Sequence, residues 1–105
     1  MDVRLVYMTA GSRDEARKIG QELLESNLVA CVNIIDNMTS LYMWKGALQD
    51  DAEVIVIAKT TAPKLPALIE KVKAVHSYEC PCVLSIAVDS GNPEFIAWID
   101  EQTTG

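Results

Sequence analysis

Leu28-Val29-Ala30-Cys31-Val32-Asn33-Ile34-Ile35 and Glu53-Val54-Ile55-Val56-Ile57-Ala58-Lys59-Thr60 are the two stretches that settle how the rest of the chain folds around them. Val29, Cys31 and Ile35 alternate with Ala30, Val32 and Ile34, and Val54, Val56 and Ala58 alternate with Ile55 and Ile57. A strand sends successive side chains to opposite faces of its sheet, so runs that are apolar at every position need burial on both faces. Two apolar layers are therefore required, one on each side of these strands.

The flanking segments supply one layer. Residues 3–9 are β-branched and aromatic, with Val3, Leu5 and Tyr7 on one side of a first strand. Ser12 and Glu15 form a capping box, and Ala16, Ile19, Leu23 and Leu24 give a helical stripe that ends near Asn27. Met38 to Trp44 extends the second strand past an irregularity at Asp36-Asn37. Gly46 and the polar Gln49-Asp50-Asp51 are expected to form a hairpin turn into the third strand. Pro63 and Pro66 bracket the start of a second helix with Leu65, Leu68, Ile69, Val72 and Val75 on its apolar face. Val83 to Val88 is a fourth strand. Gly91 turns the chain, Asn92 caps a short last helix with Pro93 at its first position, and Phe95, Trp98 and Ile99 are expected to face inward. Strand–helix–strand twice over, then a helix, is an α+β, ferredoxin-like split βαβ fold with both main helices on one face. The second apolar layer then has to come from another copy of the chain, so the sequence predicts an oligomer.

With 105 residues, half of them hydrophobic and 23% charged, the chain is read as one domain spanning 1–105 with a packed core. The net charge of −6 and a pI near 4.6 argue against nucleic-acid or anionic-membrane partners. Three cysteines cannot complete a disulfide framework, and Cys80 and Cys82 are too close for an unstrained bridge, which points to a reducing cytoplasm. The N-terminal segment from Met1 to Met8 reads as a strand and not as a secretory signal, and no apolar run is long enough to span a membrane. No Ser-His-Asp set, phosphate loop, His-Glu-x-x-His or paired-carboxylate pattern is evident, so the expected protein is not an enzyme.

The chemistry concentrates in His76-Ser77-Tyr78-Glu79-Cys80-Pro81-Cys82. Pro81 pushes Cys80 toward an extended conformation, and an extended backbone would turn both thiols to one side. Two thiols with His76 nearby suit a soft ion such as Cu(I) or Zn(II). The competing reading makes the cysteines small buried hydrophobes at a strand start and His76 the end of a helix.

Along nearly its whole length the chain resembles the divalent-cation tolerance (CutA) family. The resemblance rests on Ala30-Cys31-Val32-Asn33-Ile34, on Thr39-Ser40-Leu41-Tyr42 with Trp44 and Gly46, and on Glu53 with Lys59-Thr60. His76-Ser77-Tyr78 with Pro81, and Gly91-Asn92-Pro93-Glu94 with Trp98-Ile99, complete it. It implies a ferredoxin-like protomer in an interlocked homotrimer, a long hairpin of the second and third strands reaching a neighbour, and a link to copper tolerance. Some members carry a cysteine where this chain has Met8, and a His-His pair where it has Val75-His76. Met8 keeps a soft thioether, His76 keeps one imidazole, and Cys80 and Cys82 add thiols that the family more usually lacks. The candidate metal ligands are therefore His76, Cys80, Cys82 and Met8, with copper as the candidate ion. Cys31 matches the family motif, but its place in an apolar strand makes it core first.

A candidate ligand cleft comprises Trp44, Lys59, Tyr78 and Glu79. A helix from Leu65 to Val75 is roughly 16 Å long at about 1.5 Å per residue, which separates Lys59 from His76 within one chain. The four residues Trp44, Lys59, His76 and Tyr78 are thus expected to meet across a subunit boundary. The leading expectation is a non-enzymatic metal-tolerance trimer that binds a transition metal weakly or conditionally; the alternatives are a sensor of an anionic small ligand, similar to the nitrogen-regulatory PII proteins, and a structural trimer that anchors a partner.

Overall fold

A computed structural model describes residues 2–105; the expected first strand is present, and Met1 lies outside the described residues. Among these residues the order is β1 (Val3–Ala10), α1 (Arg13–Glu25), β2 (Cys31–Trp44), β3 (Ala47–Thr61), a 3-10 turn (Ala62–Lys64), α2 (Leu65–Val75), β4 (Val83–Ala87) and α3 (Pro93–Thr103). The strands form one antiparallel sheet in the order β2-β3-β1-β4. This is the α+β, ferredoxin-like arrangement expected, with β1 and β3 in the centre.

Local chemistry sets the element ends. The Glu15 N–H donates to the Ser12 hydroxyl at 3.1 Å and starts α1, and the Glu94 N–H donates to the Asn92 side chain at 3.0 Å and starts α3 behind Pro93. Asn27, at φ 61°, closes α1, where the Leu28 N–H reaches back to the Leu23 carbonyl at 3.0 Å. The Asp36-Asn37 irregularity is a shift in register between Ile35 and Met38, with Asn37 at φ 64°.

The hairpin turn differs from expectation. Trp44 pairs with Ala47, so Lys45 and Gly46 alone make the turn, at φ 51° and 81°. Two-residue turns with both central residues at positive φ match the twist of the strands they join. Gln49, Asp50 and Asp51 are strand residues paired with Tyr42, Leu41 and Ser40. They look like a turn because β1 stops opposite Val54. Beyond that point β2 and β3 form a two-stranded arm with little core to bury, and polar residues are tolerated in it. A Cβ at Gly46 would meet nothing within 4 Å, so the cost of a side chain there is purely conformational. Gly46→Val should destabilise the protein by about 1–2 kcal/mol, read from the urea midpoint.

One face of the sheet is closed. Val6, Met8, Ala10, Val54, Val56 and Ala58 pack beneath Ala16, Ile19 and Leu23 of α1 and Leu68 and Val72 of α2. The pairing register puts Leu5, Tyr7, Ile55, Ile57, Leu84 and Ile86 on the other face. There α3 covers only one end, where Ile99 joins Val3 and Ala30. Ile35, Leu84 and Ile86 remain 49%, 60% and 54% exposed, and no element of the described residues covers them. The two-faced apolar strands are thus real, and a single chain satisfies only one face.

α3 is rotated relative to expectation. Ile99 is buried, but Phe95 and Trp98 are 44% and 38% exposed and stack on each other at 5.5 Å between centroids. The inward stripe is Ile96, Ile99 and Thr103, one position round the helix from the aromatic pair. Ile96 and Ile99 pack with Val3, Ala30 and Val88, and the two rings are left outside.

Candidate functional site at the base of the hairpin arm

Where β1 ends, the loop between α2 and β4 runs beside the exposed arm, and its placement begins with His76. The imidazole side chain is fully buried. Its Nε2 lies 2.8 Å from the Thr9 carbonyl oxygen, and the Tyr78 N–H donates to its Nδ1 at 3.0 Å. A carbonyl only accepts and an amide N–H only donates, so this pattern defines the neutral ring with its proton on Nε2. Both nitrogens are engaged, so in this arrangement His76 braces the loop and has no lone pair left for a metal.

Glu15 is the second brace. One carboxylate oxygen accepts from the Gly11 N–H at 3.0 Å and the other from the Ser77 N–H at 2.8 Å. Burial alone would raise this carboxyl, but the hydrogen bonds from Ser77 and Gly11 outweigh it, and the group is held below its ordinary value.

The braced loop delivers Tyr78 to the arm, where its phenol donates to Glu53 Oε2 at 2.6 Å. A cavity of about 420 Å³ opens beside this bond. Tyr42, Trp44 and Tyr78 supply aromatic wall, Asp51, Glu53 and Glu79 supply carboxylates, and Cys80 and Cys82 supply thiols. Burial first, and then the hydrogen bond to Glu53, raise the Tyr78 phenol well above its ordinary range. The hydrogen bond to Asp51, at 2.6 Å, raises the Tyr42 phenol from its ordinary value. Cys82 is half-buried and its thiol is pushed up by burial, then by the negative charge of Glu53 and of Cys80. Cys80 is exposed.

The expected site residues fall into three groups. Cys80, Cys82, Trp44, Tyr78 and Glu79 come together around the cavity, and His76 stands behind it as a brace. Met8 is fully buried in the core under the helices. Lys59 lies on the open sheet face, donating to Asn33 Oδ1, 3.5 Å from Cys31 Sγ and 5.9 Å from the Phe95 ring centre. Among the described residues, no set of three His, Cys, Asp or Glu side chains is gathered as a metal site. The donors that fit an ion are the two thiols, a soft pair suited to an ion that needs few ligands. Asp51, expected in the hairpin turn, is a strand residue that accepts a hydrogen bond from the Tyr42 hydroxyl. Asp51 pairs with Ser40 and lies diagonally from Tyr42, and Glu53 two residues on shares its face of the strand.

Residues 4–102 match the family described as CutA1 divalent ion tolerance protein. Over 99 residues the chain is 39% identical to the divalent-cation tolerance protein CutA of Thermus thermophilus, covering 94% of this chain and 96% of that one. It is 38% identical over 101 residues to protein CutA of Mus musculus, covering 96% of this chain but only 57% of the mouse protein. A solved structure described as the periplasmic divalent cation tolerance protein CutA from Archaeoglobus fulgidus superposes with a TM-score of 0.94 at 39% identity, covering 97% and 99% of the two chains.

Proposed function

Because the chain belongs to the CutA1 divalent ion tolerance family, we propose that it is a non-enzymatic homotrimer that binds a soft transition-metal ion, copper foremost, at Cys80 and Cys82. The observation that carries this reading is that the two thiols on either side of Pro81 open onto one cavity. Soft thiolates select Cu(I) over harder ions. Cys80 is exposed and gives an ion access, while half-buried Cys82 retains it in a less aqueous setting. Support for the trimer comes from the open apolar face of the sheet, which a second copy would bury. Support for a non-enzymatic role comes from the divalent ion tolerance description of the family and from His76, whose two ring nitrogens are engaged with Thr9 and Tyr78.

A reducing cytoplasm suits three unpaired thiols. That placement rests on the thiols alone, since the Archaeoglobus protein is described as periplasmic. The net charge of −6 favours neither nucleic acid nor an anionic membrane as partner. Among the described residues no helix is long and apolar enough to cross a membrane. The alternative of a PII-like sensor for an anionic metabolite has less support, because the cavity wall carries carboxylates and Lys59 lies elsewhere. A purely structural trimer would take up no metal.

In competition with a chromophoric Cu(I) chelator, Cys80→Ser, Cys82→Ser should lose most of its copper uptake, and Zn(II) should bind the native chain more weakly than Cu(I). Thiols must lose protons to bind, and Cys82 holds its proton above the ordinary thiol value. Apparent affinity should therefore rise with pH, by about tenfold per unit for each proton released, until the thiols are ionised. Unchanged uptake by the double variant, or a pH-independent affinity, would overturn the assignment.

A further inference from the structure

Glu53 is only 8% exposed, yet its one hydrogen-bond donor is the neutral Tyr78 phenol, and no cationic side chain of the described residues pairs with it. Among the described residues its other oxygen accepts no hydrogen bond and is not sealed from solvent, and Glu53 lines the cavity. Asp51 is likewise met by a neutral donor, the Tyr42 phenol. Both carboxylates therefore keep an uncompensated negative charge beside the aromatic wall. A carboxylate so enclosed wants a cation, and aromatic faces add attraction for an ammonium rather than for a hydrated metal dication. The rim already shows the preference: the Lys45 ammonium lies 5.9 Å from the Trp44 ring centre and 3.7 Å from Glu79.

We propose that the cavity binds a small aliphatic amine, best a diamine, with one ammonium on Glu53 and the alkyl chain against Trp44. A volume of about 420 Å³ accommodates such a molecule. The second ammonium is met by Asp51, so two charges are satisfied where a monoamine satisfies one. Anionic ligands are disfavoured by the same three carboxylates. The inference needs no thiol, so it stands apart from the metal reading.

The test is isothermal titration of the full-length, chelator-treated protein with diaminobutane at constant ionic strength, followed in parallel by Trp fluorescence. Saturable binding in the millimolar range or tighter is expected, with butylamine weaker and the dicarboxylate adipate silent. Glu53→Gln keeps an oxygen for Tyr78 but loses the charge, and should weaken diaminobutane by about tenfold. Trp44→Leu should weaken it by about three- to tenfold. Because Trp44 is 43% exposed, this variant decides the matter if Glu53→Gln fails to fold. No saturable signal, an equal response to potassium chloride, or undiminished binding by Trp44→Leu would overturn the proposal.

Discussion

Leu84→Asp, Ile86→Asp should leave the protein unable to assemble. Both side chains sit on the open sheet face at 60% and 54% exposure in the single chain, opposite Tyr7 and Leu5 of β1. Burying each against a neighbour contributes about 2 kcal/mol, so removing both costs about 4 kcal/mol per chain, on the order of a thousandfold in association. The introduced carboxylates add a desolvation cost to any residual contact. The helix-covered face, with Val6, Met8 and Val56, is untouched. Sedimentation should therefore show monomer or unfolded chain for the variant and a trimer for the native protein at the same concentration. An unchanged trimer would mean that this face is not the interface.

The second large effect concerns Glu15, which holds the two ends of the loop machinery through Gly11 and Ser77. Hydrogen bonds to a charged group are each worth about 1.5–3 kcal/mol, and glutamine can accept only one of the two at its single oxygen. Glu15→Gln should thus be destabilised by about 2 kcal/mol near neutral pH. The folded carboxyl lies below its unfolded value of 4.5, so its contribution is complete above that value and is lost as pH falls through the folded one. The stability gap between native and variant should therefore close on acidification below about pH 4.5. Melting temperatures across pH would show this, and a gap that widens in acid would contradict the brace. Cys80 should also alkylate faster in the variant, because a loosened loop exposes it further.

The fold was legible where burial dictates periodicity. The two-faced apolar runs of β2 and β3 announced both the sheet and its uncovered side, and the caps at Ser12 and Asn92 are local chemistry that tertiary packing left in place. Legibility failed where solvent removes the periodic constraint. Gln49, Asp50 and Asp51 resembled a turn because the arm they occupy has left the core behind. Phe95 and Trp98 resembled core because hydrophobicity alone does not say which of two adjacent helix stripes fits a gap.

The site was half legible for a related reason. Cys80, Cys82, Tyr78 and Glu79 are neighbours in sequence, so one loop carries them to one cavity. Trp44 joins them through the hairpin, but Glu53 and Asp51 enter only through a register that spacing does not reveal. The partners of His76 were equally hidden, since Thr9 is 67 residues away and its carbonyl has no signature in sequence. An imidazole that looks like a ligand on paper is thus a structural brace in the fold.

Inductively coupled plasma mass spectrometry on protein purified without chelator or affinity tag bears most directly on the thiol pair as a metal site. The expected result is a soft transition metal, copper foremost, carried by the native chain from copper-supplemented cells and missing from Cys80→Ser, Cys82→Ser. Metal-free native protein from copper-supplemented cells, or a double variant that retains its metal, would contradict it.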